Sequence, residues 1–273
     1  MRQTINAMLE EGRERSLFIS TVIAFFAVIV IQIELPVMAA LEGTDFIRVF
    51  ASKGFKDVAS NLLVGFVSAY IFYVLIELVP RIKRERATLE ALDMLLLSIV
   101  EAYRTYDFFA HSKPILWLDP KDLTLAVVNN CTLICKNKPG YQQLKCAMET
   151  AHSRYSDILQ SLVLASSVST EHTLIWLTIT DKVRLLKEEF DRLPKSDKFE
   201  PSDVFYDKES EAKYDGDLFY RMYRQEMKDY RTTLQQRVLE YLVAVQEWLK
   251  LDAQKSFNHS ATHEASDTPH QSS

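Results

Sequence analysis

The sequence predicts an all-α protein: a two-helix transmembrane hairpin followed by a cytoplasmic helical bundle. Three observations carry this. Two long uncharged apolar runs lie before Pro80, apolar residues beyond it recur every three or four positions, and the 273 residues include only 6 Gly and 8 Pro. That is too little turn chemistry for a β fold. The implied organisation is an N-terminal arm and hairpin over 1–80, with spans at about 16–35 and 58–79, a helical domain over 81–253, and a disordered tail over 254–273.

The first run, 17–33, reads LFISTVIAFFAVIVIQI and meets its first charge at Glu34. With its neighbours it reaches the ~20 residues that a bilayer-spanning helix needs. A cleaved signal peptide is the alternative, with Met38, Ala39 and Ala40 as a weak cleavage signal; its apolar region is normally shorter. The second run, 58–76, reads VASNLLVGFVSAYIFYVLI, and Arg81, Lys83, Arg84 and Arg86 follow it. Arg13 and Arg15 precede the first run, while Arg48, Lys53 and Lys56 lie between the two. Basic residues near span ends stay on the cytoplasmic side, so both termini are expected there. In the connecting loop, Thr44 and Asp45 can start a short helix with Phe46, Val49 and Phe50 on one face. Such a helix would lie on the outer interface; a plain polar loop fits equally.

Beyond Pro80, which should kink or restart the helix, Leu89, Leu92, Leu96, Ile99, Tyr103 and Tyr106 form the first stripe. Asp119 and Pro120 read as N-cap and first-turn proline of a helix to about Lys136. Leu144, Met148, Ala151, Tyr155, Ile158, Leu162 and Ala165 mark the next helix. Ser169 or Thr170 caps another, with Ile175, Ile179, Val183, Leu186, Phe190 and Leu193 on one face. Residues 194–216 read as a charged loop pinned by Val204, Phe205 and Tyr206. The last helix, about 217–252, carries Tyr223, Met227, Tyr230, Leu234, Val238, Tyr241, Val245 and Trp248. Stripes of this kind bury against one another as a bundle or between chains as coiled coils.

The net charge of −5 supplies no field for neutralising phosphates, so no direct nucleic-acid binding is expected. Cys131, Cys135 and Cys146 are three in number and unpatterned, which fits free thiols in a reducing compartment rather than a disulfide framework. Cys131 and Cys135 stand one turn apart, with Cys146 and His152 as conceivable fellow zinc ligands; small apolar core residues are the simpler reading. His259 and His263 have ligand-like spacing but fall in the tail. No phosphate-binding glycine loop, G-x-S-x-G or H-E-x-x-H occurs, so neither an enzyme nor a cofactor or metal site is expected.

The residues with the least ordinary explanation lie in the spans. Ser20, Ala24, Ala27, Ile31 and Glu34 share one face of the first; Asn61, Gly65, Ser68 and Phe72 share one face of the second, with Ala69 beside them. Small residues let transmembrane helices approach closely. Glu34 and Asn61 fall at the same outer end of an antiparallel pair, where a hydrogen bond between them would lower the cost of polarity near lipid. The face either packs within the hairpin or packs between protomers and lines a pore.

A short arm, two spans, the segment YIFYVLIELVPRIKRER and a helical domain together resemble the two-transmembrane effectors of bacterial anti-phage defence, most of all the retron-associated membrane effectors. The resemblance covers roughly the first 110 residues and rests on arrangement, so no site residue is carried over. It implies a toxin held silent by a reverse transcriptase and its DNA–RNA product, and released to compromise the inner membrane. The competing expectations are a non-enzymatic anchor that recruits a cytoplasmic complex, and a membrane enzyme.

Overall fold

The computed structural model describes residues 12–33, 53–106, 114–206, 214 and 216–264. Among these every regular element is helical. The helices are α1 (Gly12–Ile33), α2 (Lys53–Tyr73), α3 (Val79–Thr105), α4 (Leu125–Asn137), α5 (Tyr141–Gln160), α6 (Leu162–Val168), α7 (Thr170–Asp191), α8 (Pro201–Phe205) and α9 (Leu218–Glu264). The chain divides into two compact units, Met1–Arg86 and Ala87–Ser273. The loop helix expected around Thr44 and the end of the tail lie outside the described residues.

In the first unit α1 and α2 pack together. Tyr73, at the end of α2, donates a hydrogen bond to Glu14, at the start of α1, so the two helices run antiparallel. The second helix starts at Lys53 rather than at 58 and so includes Lys56 and Asp57. It ends in a π turn, Val74–Leu78, closed by the Val79 N–H donating to the Val74 carbonyl. Pro80 explains the turn. It has no N–H, and its ring crowds the carbonyl four residues back; widening the preceding turn by one residue relieves both. The expected restart at Pro80 therefore takes the form of a π turn feeding α3.

The second unit is a bundle of α3, α4, α5, α7 and α9 around one core. Leu92, Leu96, Ile99 and Tyr103 of α3 are buried, as are all eight stripe residues of α9 from Tyr223 to Trp248. Three of the polar side chains on or beside these stripes bond across the bundle, as low-dielectric surroundings favour, while the Tyr103 and Tyr223 hydroxyls are buried without a hydrogen-bond partner among the described residues. The Tyr241 hydroxyl donates to the Leu96 carbonyl, Tyr230 to the Glu189 carbonyl, and the Trp248 indole to Asp93.

Four expectations change. Asp119 and Pro120 start a 3₁₀ turn, Pro120–Asp122, and α4 begins five residues later under a Thr124 cap that accepts from the Val127 N–H. The single helix expected through Ala165 breaks at Ser161. There the Ser161 hydroxyl and the Trp176 indole both donate to the Ile158 carbonyl, the group a continuous helix offers to the N–H of Leu162. The loop 194–216 contains α8, where Phe205 stacks on Tyr141 at 4.5 Å and the Tyr206 hydroxyl accepts from the Gln142 N–H. Finally α9 runs to Glu264, past the boundary at 253 and into the segment expected to be disordered. No Gly or Pro interrupts the sequence between Trp248 and Pro269, so nothing local stops the helix.

Candidate functional site

The first unit departs furthest from the chemistry of a water-soluble protein. Only 17% of the most apolar window of α1 and 6% of that beginning in α2 is buried. Ile23, Phe26, Leu62, Phe72 and Ile76 are each at least 60% exposed. A soluble core helix of this composition would be enclosed.

Contact between the two helices uses one stripe on each. On α1 it runs through Leu17, Thr21, Ala24, Val28 and Ile31; on α2 through Ser60, Leu63, Val67 and Tyr70 and on into Val74 of the π turn, all buried or half-buried. Thr21 and Ala24 are small enough for close approach, and the Thr21 hydroxyl is satisfied by the Leu17 carbonyl.

The candidate face divides across this geometry. Ala24 lies in the contact stripe, Ala27 is half-buried at its edge and Ser20 is exposed. Asn61, Gly65, Ser68 and Ala69 are all exposed. On a wheel of 3.6 residues per turn their face centres about 180° from the α2 contact stripe. A Cβ built on Gly65 meets nothing within 4 Å. The small and polar face of α2 thus points away from α1. Glu34, and with it the hydrogen bond expected to Asn61, lies outside the described residues.

The sequence reading missed Glu14. Between Arg13 and Arg15 it looks like part of a solvated flank, yet it is 98% buried, leaving 2% exposed. Its Oε1 accepts from the Tyr73 hydroxyl at 2.6 Å, while Oε2 and the neighbouring Tyr70 hydroxyl are buried with no hydrogen-bond partner among the described residues. The Tyr70 and Tyr73 rings lie 6.4 Å apart. Tyr70 and Tyr73, spaced i and i+3 on α2, were the available signal for a polar clasp at this end.

The bundle holds the other candidates. Cys131, Cys135 and Cys146 are buried free thiols. Burial pushes Cys131 up and Cys135 up to about 11, the opposite of what a thiolate nucleophile requires. Tyr103 beside Cys135 is raised for the same reason. Among the described residues no three His, Cys, Asp or Glu side chains gather as a metal site would need. A surface groove between α4 and α9 is lined by Lys136, Thr232, Thr233, Gln235, Gln236 and Arg237.

These features define a class: an all-helical protein with two helices long and apolar enough to cross a membrane. No family model, no curated protein and no solved structure matches the chain.

Proposed function

We propose that this chain is a non-enzymatic effector of the bacterial inner membrane, with α1 and α2 as a transmembrane hairpin, both termini in the cytoplasm, and the bundle as the part that receives a signal. On release of the bundle, protomers associate through the hairpins and the membrane leaks. The observation that carries this is the outward face of α2. Asn61, Gly65, Ser68 and Ala69 are exposed on the side away from α1. An amide turned to lipid is costly, and a small-residue face is suited to a second helix. A second protomer supplies both a partner for Asn61 and a surface for Gly65 and Ala69. The inhibitory partner we place on the bundle is a cytoplasmic complex; the resemblance in arrangement suggests a reverse transcriptase with its DNA–RNA product.

The test is membrane potential and dye entry in cells producing the protein without its inhibitory partner, at matched levels. The parent should depolarise the cells, and Gly65→Leu and Glu34→Leu should each reduce the damage while the bundle stays folded. A parent that never depolarises the membrane replaces the effector reading with that of an anchor, for which a more apolar span is harmless.

A further inference from the structure

We propose that the groove between α4 and α9 is a binding site for a small phosphorylated molecule that also carries hydroxyl groups, a nucleotide or a sugar phosphate. The inference concerns the bundle alone and stands apart from the membrane reading of the α1–α2 pair.

The net charge of −5 hides a local excess of the other sign. Residues 123–148 contain three lysines, Lys136, Lys138 and Lys145, and no carboxylate. Lys136 lines the groove from α4. It is exposed and makes no ion pair among the described residues. The other wall is α9, with Thr232 and Gln236 in one row and Thr233 and Arg237 in the next. No carboxylate among the described residues lines the groove.

Arg237 has a donor to give. Its Nε is buried with no hydrogen-bond partner among the described residues; Glu189 Oε1, at 3.9 Å, is too distant to be one. Both carboxylates near Arg237 are held by another cation. Lys182 lies 3.3 Å from Glu240, and Arg192 lies 3.2 Å from Glu189. Arg237 can therefore bond a ligand without stranding a charge. A planar guanidinium and an ammonium on facing walls suit the several oxygens of a phosphate.

The rest of the lining selects the rest of the ligand. The Thr232 and Thr233 hydroxyls donate to the carbonyls of Lys228 and Asp229, the Gln235 amide donates to the Cys135 carbonyl, and the Gln236 amide donates to Glu240. With these donors committed, the hydroxyl and amide oxygens remain as acceptors. Acceptors call for hydroxyl or amino groups on the ligand. The Cys135 thiol donates to the Gln235 carbonyl in return, so the two walls are locked together before a ligand arrives, which lowers the cost of binding. The volume, about 610 Å³, falls within the range of about 300–1,000 Å³ typical of small-molecule sites.

The test is calorimetric titration of the full chain in detergent, at low salt, with ribose 5-phosphate, adenosine monophosphate and inorganic phosphate. The two organic phosphates should bind at one saturable site, and inorganic phosphate more weakly because it lacks the sugar hydroxyls. Tighter binding of the nucleotide assigns a contact to the base, and equal affinities assign recognition to the sugar phosphate; either supports the proposal. Lys136→Gln removes one charged partner and should weaken both about ten-fold or more. Gln236→Glu sets a carboxylate against the phosphate and should abolish binding. Both side chains are exposed, and circular dichroism checks that the variants stay folded. Lys145→Gln removes a cation that pairs with Glu149 on α5, outside the lining, and should change nothing. Absence of saturable binding overturns the proposal. So does an equal loss in Lys145→Gln, which would show a diffuse field rather than a site, and so does binding that survives both groove variants.

Discussion

The two units use apolar side chains in opposite ways. In the bundle Trp176, Trp248, Tyr241 and Leu96 are fully buried, and their polar atoms are matched to named partners. In the α1–α2 pair the large side chains Phe26, Leu62, Phe72 and Ile76 are outside, while small and polar Thr21, Ala24 and Ser60 sit where the helices meet. A bundle in water is held by removing area from water. That force does not act between helices in lipid, where close approach and hydrogen bonds remain. The distribution of residues in each unit matches a different solvent.

The comparison breaks first if the units cannot live apart. Residues 87–251 produced alone should be soluble and helical, and residues 1–86 should partition entirely to membranes. Fractionation and circular dichroism read both. A bundle fragment that aggregates, or an N-terminal fragment that stays in the soluble fraction, means the two solvents were wrongly assigned.

Within the full chain, Trp248→Ala should cost the bundle about 3–5 kcal/mol, since it removes a fully buried ring from the core. Phe72→Ala removes a ring 62% exposed and should leave the folding of both units intact. Urea midpoints of the purified protein, followed by tryptophan fluorescence for Phe72→Ala and circular dichroism for both, test this. Equal losses would mean Phe72 is enclosed by something other than solvent-like surroundings.

Much of this pattern is legible in the sequence, because a stripe repeats its signal. The eight apolar residues of α9 at 3–4 spacing all reach the core, and no single exception can shift so many. The features that escaped are single contacts made across the chain. The break at Ser161 depends on a tryptophan 18 positions beyond Ile158, whose carbonyl it takes, and the burial of Glu14 on a tyrosine 59 away. The start of α4 was misplaced for a different reason. Asp119 and Thr124 both have capping chemistry, and local sequence does not rank them. For the candidate face, spacing puts Asn61, Gly65, Ser68 and Phe72 on one side of α2, with Ala69 beside them. It did not say which side meets α1, because that also requires the stripe on α1.

The Glu14–Tyr73 contact gives a smaller test. Tyr73→Phe removes its hydrogen bond to Glu14 Oε1 and should loosen that end of the helix pair by about 1–2 kcal/mol. Tyr70→Phe removes a buried hydroxyl that has no partner among the described residues and should be neutral or stabilising. Cross-linking efficiency between cysteines placed at the ends of α1 and α2 follows both. Matched losses in the two variants would show that Glu14 is held by the pair of hydroxyls together.

Gly65→Ala is the gentlest change and separates fold from association. Within one chain the methyl has room, because nothing lies within 4 Å of a Cβ at this position. Alanine also favours a helix over glycine by about 1 kcal/mol. The pair itself should therefore be unharmed or slightly more stable. Between chains the same methyl holds two backbones apart, and a small-residue contact weakens with distance because its attraction comes from packing. Association should fall while helicity holds. Energy transfer between labelled protomers, measured as lipid dilutes the protein, reads the first, and circular dichroism the second. If association and depolarisation both survive the methyl unchanged, the outer face of α2 meets lipid alone. Asn61 is then an isolated polar group, and assembly must be sought on the edge of α1 that carries Ser20 and Ala27.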